Sequence, residues 1–297
     1  SQAPVGFCRE LEESFQRKRP EAALTVCCSP ENLRLGTALE AFQHPDRIVL
    51  GTRRPEDRSR LEPLFARLSG NLVWMKTESA EMTKHALNAF LATSAVWANE
   101  IGVLCESVGA NAKEVERGLK TESRIGAKAY VRAGAPIAGG TLARDLEFLV
   151  ELGRRTPHPP ALLKAVIESN RAHKDWVKRQ LKERLKTLTG RKLAVLGLTY
   201  KAGTDTLRRS WAVELCRWLH AEGARIQVYD PQVTSLPKEL EPIMSLMSGS
   251  GAAMEKCDGV VLCTDHPSIK AIGASEIARL GRPLVIDPSG ILPAAVI

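Results

Sequence analysis

Two sets of polar residues in this sequence have types and spacings that could do chemistry. Lys84 and Asn88 stand four residues apart within the stretch SAEMTKHALNAFLATSAVWANEIGVLCES, residues 79–107. In a helix that spacing projects both from one face, near the helix start. An ammonium and an amide side by side on an otherwise apolar helix make a small polar site, although two solvated first-turn residues would read the same way. The second set is Lys201, Thr204, Asp205 and Arg208, in the loop TYKAGTDTLRRS that joins a strand to a helix beginning at Trp211. Ligands of open α/β sheets sit at the carboxyl ends of strands, and helix amides together with Lys and Arg suit a phosphate.

Other chemistries find less support. The turn after Val195-Leu-Gly-Leu198 does not spell the GxGxxG of a dinucleotide site, and Gly249-Ser-Gly251-Ala-Ala-Met254 lacks the third glycine and follows no strand, so it reads as a loop. The six histidines are dispersed, and none pairs with Ser or Cys at a nucleophilic spacing. His85 follows Lys84 directly and is expected on a different face. The seven cysteines form no CxxC and no Cys/His ligand pattern, so neither zinc nor a disulfide framework is expected, and a reducing cytoplasm fits best. Lys84, His85, Asn88, Asn99 and Glu100 interrupt the apolar helix too often for a membrane span, and no signal peptide is recognised.

The elements that must position these residues alternate. Ala22–Cys28, Ile48–Thr52 and Asn71–Met75 read as strands, with a short helix before the second and a helix over Glu56–Leu68 kinked at Pro63. Residues 79–107 form one long helix that is apolar on every face from Ala86 to Ala98, so another layer or a second subunit should cover it. Helices follow over Ala112–Leu119, Thr141–Leu152 and roughly Ala161–Leu188. A new α/β unit then begins with strands at Lys192–Leu198, Arg225–Tyr229, Gly259–Cys263 and Pro283–Ile286, and a helix over Trp211–Glu222. The expected fold is α/β: the second half of a Rossmann-like domain (1–76), a central helical dimerisation domain (77–188) and a doubly wound C-terminal domain (189–297). At 297 residues the chain can bury more than one core. Its net charge of +8 would suit nucleic acid, but the basic residues are scattered apart from a helical run at Lys174–Lys186, and 5% aromatic content gives no stacking platform.

Several motifs, in order and at family spacing, resemble the UDP-glucose/GDP-mannose dehydrogenase family. Ser1-Gln-Ala-Pro-Val-Gly6 is similar to S-T-V-P-V-G, Ser29 to Thr37 to N-P-E-F-L-x-E-G-T, and His44 to Gly51 to N-P-D-R-I-V-I-G. Ala80–Lys84, Asn88–Ala92 and Asn99-Glu100 resemble the family's dimerisation helix. Ser123–Gly126, Gly139-Gly140 and Arg144-Asp145 follow R-I-G…G-G-S-C-F-P-K-D. Val195–Lys201 with Thr204-Asp205, Arg208 and Ser210 resembles V-L-G-L-A-F-K-x-x-T-D-D-x-R-E-S, and Tyr229-Asp-Pro231 and Val285-Ile-Asp287 complete the series. The resemblance implies NAD-dependent oxidation of a nucleotide-sugar CH2OH to a carboxylate. It implies Lys84 at a developing oxyanion, Asn88 and Asp145 holding water, and Glu31 and Thr141 at catalytic positions. It implies Asn32, Leu33, Arg124 (from the partner), Tyr130, Tyr200 and Lys201 at a UDP- or GDP-hexose, Arg208 and Arg144 at the cofactor, and a homodimer through the 79–107 helix.

The departures matter as much. The family's GxGxxG half is not in the chain, whose opening and missing initiator Met would fit a fragment. The family's nucleophilic Cys is matched by Thr141, or by Gly140 if the alignment slips by one; Gln2, Leu35 and Ser289 replace a Thr, a Glu and an Arg. A Thr hydroxyl is far less ionised than a thiol and a poor substitute for it. Three readings follow: a dehydrogenase, a catalytically inactive homologue that binds nucleotide sugar or only dimerises, and an enzyme that stops at the aldehyde. Catalysis by this chain alone is expected to be absent.

Overall fold

The computed structural model describes residues 3–31, 33, 38–138, 140–154, 156–281 and 283–293. In chain order, α1 (Phe7–Lys18) and α2 (Ala38–Gln43) precede β1 (Ile48–Thr52), α3 (Pro55–Phe65) and β2 (Leu72–Lys76). Five helices follow: α4 (Thr77–Val108), α5 (Ala112–Thr121), α6 (Thr141–Gly153), α7 (Ala161–Lys174) and α8 (Trp176–Leu185). Then come β3 (Lys192–Leu196), α9 (Trp211–Ala221), β4 (Arg225–Tyr229) and β5 (Ser245–Leu246). The chain closes with α10 (Ser250–Met254), β6 (Gly259–Leu262), α11 (Pro267–Lys270), α12 (Ala274–Arg279) and β7 (Leu284–Ile286). Two compact units result, Ser1–Phe90 with Asp145–Pro159 and Leu91–Arg144 with Pro160–Ile297.

In the first unit β1 and β2 pair in parallel, Ile48 opposite Leu72 and Thr52 opposite Lys76. The strand expected at Ala22–Cys28 does not form. Only Cys28 exchanges hydrogen bonds with Gly51, in an isolated antiparallel bridge, and the Val26 amide turns instead toward Glu12 Oε2. Helix α1 was not legible beforehand. Glu12 at its middle holds Arg53 at 2.5 Å, tying the helix to the end of β1.

The second unit is built on a parallel sheet in the order β5-β4-β3-β6-β7. Period-2 side-chain alternation explains its two cores. Leu193 and Val195 of β3, Ile226 and Val228 of β4 and Val261 of β6 face one core with α8 and α9, built on Val177, Leu181, Leu215 and Leu219. Ala194 and Leu196, with Val260 and Leu262, face the other, against Met254, Ile269 and Ile277. Covered on both faces, these strands read as continuous apolar runs.

Two sequence expectations are corrected here. The 161–188 helix is two helices: the Asp175 amide closes α7 with a bond to Ala172 O, the Asp175 carbonyl opens α8 by accepting from Arg179, and Lys186 ends it at φ 62°. The Gly249–Met254 loop contains α10, because small residues let the turn press Ala253 and Met254 fully into the core.

Candidate functional site

The Lys84/Asn88 face of α4 is buried, and it is richer than the pair. Glu81, Lys84, His85 and Asn88 are all almost fully enclosed, as is Asp145 of α6. Buried polar groups as a rule need hydrogen-bond partners, from side chains or backbone. The Asp145 carboxylate accepts a short hydrogen bond from the Asn88 amide and lies 2.8 Å from His85 Nδ1. His85 Nε2 is 2.9 Å from the Ala3 carbonyl oxygen, and the ring stacks on Phe148 at 4.3 Å. Glu81 accepts from the amides of Gly6 and Cys8 at 2.6 and 2.8 Å, so the chain's opening segment is fastened to the same helix. His85 therefore belongs to the cluster. Adjacent helix positions diverge by about 100°, but a residue on a second helix can bond to both sides of that angle. Glu81, one turn before His85, was not singled out by the sequence.

In the second unit the sheet order reverses at β3, with β4 on one side and β6 on the other. The loops after β3 and β6 part there and leave the crevice typical of such sheets. A cavity of about 670 Å³ lies at this point, lined by Tyr200, Lys201, Thr264 and Asp265 together with Thr141, Tyr130, Lys128 and Arg132. The loop after β3 is held from beneath. Asp230 Oδ2, at the end of β4, accepts from Leu198 N (2.7 Å), Thr199 N (2.8 Å) and Thr199 Oγ1 (2.9 Å), and Thr264 Oγ1 donates to Thr199 O. Gly197 begins the turn at φ +90°, and a Cβ there would fall 2.5 Å from Thr264 Cβ, so no other residue fits. Tyr200 lies against Gly140, where an added Cβ would meet the ring at 2.8 Å.

The opposite wall, residues 131–138, is irregular backbone pinned by side chains whose part in it the sequence did not show. Asn170 of α7 bonds both the amide and the carbonyl of Ile137, Asn99 of α4 accepts from Gly134 N, and Ser289 Oγ accepts from Ala135 N. His173 Nε2 donates to Gly134 O, and burial lowers the His173 pKa, which favours the neutral ring.

Thr141, Tyr130, Tyr200 and Lys201 thus share one cavity, and Lys84, Asn88 and Asp145 share one buried cluster. The remaining candidates stand elsewhere. Arg208 lines another cavity, about 740 Å³, with Arg209 and Arg217. Arg124 is exposed and bonded to Glu122 at 2.9 Å, and Arg144 is exposed on α6. Glu31 accepts from the Leu33 amide at 2.5 Å, and the Leu33 side chain is exposed. Asn32, Leu35 and Gln2 lie outside the described residues. The cavity's only cysteine among the described residues is Cys263, whose burial pushes its thiol well above the usual range. No group of three His, Cys, Asp or Glu among the described residues could hold a metal ion, and no helix among them is long and apolar enough to cross a membrane.

Comparison with known proteins gives a consistent pattern. Residues 78–172 match the model of the UDP-glucose/GDP-mannose dehydrogenase family central domain, and residues 194–294 match that family's UDP binding domain. The UDP-glucose 6-dehydrogenase of Rhizobium meliloti (strain 1021) is 33% identical over 295 residues, covering 97% of this chain and 67% of the relative. That of Rickettsia typhi is also 33% identical, over 98% of this chain and 68% of the relative. Among solved structures, a UDP-glucose dehydrogenase from the archaeon Pyrobaculum islandicum superimposes with a TM-score of 0.88 at 29% identity, covering 100% of this chain and 67% of the other. The chain spans about two thirds of the length of these relatives.

Proposed function

Because the chain belongs to the UDP-glucose/GDP-mannose dehydrogenase family, we propose that it binds a nucleotide sugar of the UDP- or GDP-hexose class in the cavity at the sheet's reversal point. The observation that carries this reading is that cavity. It combines two tyrosines, Tyr130 and Tyr200, with four cations, Lys120, Lys128, Arg132 and Lys201, and two carboxylates, Asp265 and Glu116, the last paired with Lys120. Aromatic rings suit a base, the cations suit a diphosphate, and a carboxylate suits sugar or ribose hydroxyls.

In this reading Lys84 offers positive charge to an alkoxide, while Asn88 and Asp145 hold a water. Arg124 reaches a partner's substrate, and Glu31, Asn32 and Leu33 belong to the substrate loop. NAD+ is the oxidant the family implies, and when bound it would accept hydride. The residues described do not complete a dinucleotide site, however, since the turn after β3 spends its two amides on Asp230. Arg208 and Arg144 remain as guanidinium groups for a pyrophosphate.

Oxidation to the acid is impaired in this reading, because the thiohemiacetal step needs a thiolate. Thr141 has no sulfur, and Cys263 is held protonated by burial. Retention of Lys84, Asn88 and Asp145 favours, as a second reading, an enzyme that stops at the aldehyde. The partner is a second copy of the chain. Phe90, Trp97, Leu104 and Val108 of α4 are exposed, at a spacing that forms one apolar stripe.

Calorimetric titration of the purified chain with UDP-glucose, GDP-mannose and NAD+ separately tests the reading. Binding of one nucleotide sugar, weakened at least tenfold by Lys201→Ala, is expected. No binding of either sugar nucleotide would sink it.

A further inference from the structure

The catalytic assignments above leave the ring of His85 without a role, and its hydrogen bonds constrain its proton count. Nε2 lies 2.9 Å from the Ala3 backbone carbonyl, which can only accept, so Nε2 carries a hydrogen. A neutral imidazole has one N–H. Nδ1 would then turn a bare lone pair toward Asp145 Oδ1 at 2.8 Å, and an ionised carboxylate is also only an acceptor. Two facing acceptors at that distance repel, so the contact is a bond only with one more proton between them. Asn88 donates to the other oxygen, Oδ2, which leaves Oδ1 as the proton's seat on the carboxylate side.

We propose that His85 and Asp145 form a proton-holding pair that keeps one proton between imidazole and carboxylate, with His85 as the positioning residue of Asp145. Both side chains are almost completely enclosed, and Phe148 stacked on the ring at 4.3 Å fixes its plane. Among the described residues, the charged groups that act on the ring are Asp145 on α6 and Glu81 on α4, with Lys84 its neighbour in the chain; the opening segment contributes the Ala3 carbonyl. Burial alone would lower the His85 pKa. The hydrogen bonds to Asp145 and Ala3, and the charges of Asp145 and Glu81, outweigh it, and the net direction is up. Loss of the shared proton must break either the Asp145 bond or the Ala3 bond, so one ring both orients the carboxylate and latches the opening segment. The consequence for a water held by Asp145 rests on the proposed function; the proton itself does not.

Nitrogen-15 NMR of histidine-labelled full chain, with carbon-13 on the Asp carboxyls, tests this across pH 5 to 9. The expected result is that the pair retains its proton above about 6.5, the ordinary histidine value, as an imidazolium or as a protonated Asp145 facing Nδ1. A His85 that becomes a single Nε2–H tautomer beside an ionised Asp145 at or below that value overturns the proposal. His85→Gln supplies a second readout, since glutamine can donate to Asp145 but holds no exchangeable charge. A raised native pKa stabilises fully below the unfolded value and is lost as pH rises through the native one. The stability advantage of the unsubstituted chain should therefore shrink on the alkaline side, whereas a pH-independent difference would reduce His85 to packing. A proton retained in a chain that binds no nucleotide sugar would uphold the pair and sink only the functional reading.

Discussion

Asp230 should govern the whole loop that presents Tyr200 and Lys201, and its removal gives a demanding test. Its Oδ2 accepts three hydrogen bonds, from Leu198 N, Thr199 N and Thr199 Oγ1, and its Oδ1 accepts from Gln232 N at 2.9 Å. Leu198 and Thr199 are buried, so water cannot take over as acceptor in the folded loop. Asp230→Ala orphans two buried backbone N–H groups at about 1–3 kcal/mol each, roughly 2–6 kcal/mol in total. Asp230→Asn can turn its amide oxygen toward the same donors and sacrifice only the Gln232 bond and the charge, at about 1–2 kcal/mol. The assay is native-state hydrogen exchange of the Leu198 and Thr199 amides, because two compact units need not unfold in one transition. Urea unfolding followed by tryptophan fluorescence serves as a global control. Both amides should lose protection in the alanine variant and keep most of it in the asparagine variant, with nucleotide-sugar affinity falling in the same order. An alanine variant within about 0.5 kcal/mol of the parent, with both amides still protected, would refute the reasoning.

Gly140→Ala puts a Cβ 2.8 Å from the Tyr200 ring, so the ring must move; titration should show nucleotide-sugar binding weaker by about tenfold, roughly 1.4 kcal/mol. Trp97→Glu or Leu104→Glu places a charge in the exposed stripe of α4; analytical ultracentrifugation is expected to find the parent as the proposed dimer and the variants as monomers. Burial pushes the Cys216 thiol up to about 12, so at pH 8 only about one molecule in ten thousand carries the thiolate. Peptide mass spectrometry after iodoacetamide should find Cys216 and Cys263 unmodified in the folded chain and modified in urea.

The fold was legible where local pattern is enough. The KLAVL run of β3, the long α4 and the start of α9 at Trp211 follow from period and propensity, which act within a few residues. The strand reading of Ala22–Cys28 failed for the same reason. Apolar β-branched residues describe what a segment can do, while a ladder needs a partner edge, and only Gly51 faces Cys28. For the site, the sequence determined which residue types are present and that Lys84 and Asn88 share a face. It could not determine that Asp145, 57 positions from Asn88, closes that face, or that His85 joins it. Nor could it show that Asn99, Asn170 and Ser289 pin the wall of the cavity holding Tyr130 and Lys201. Those pairings are set by how helices and strands pack across large sequence separations. Burial then enforces them, because a polar group shut away from water must find its partner in whatever element the fold brings alongside.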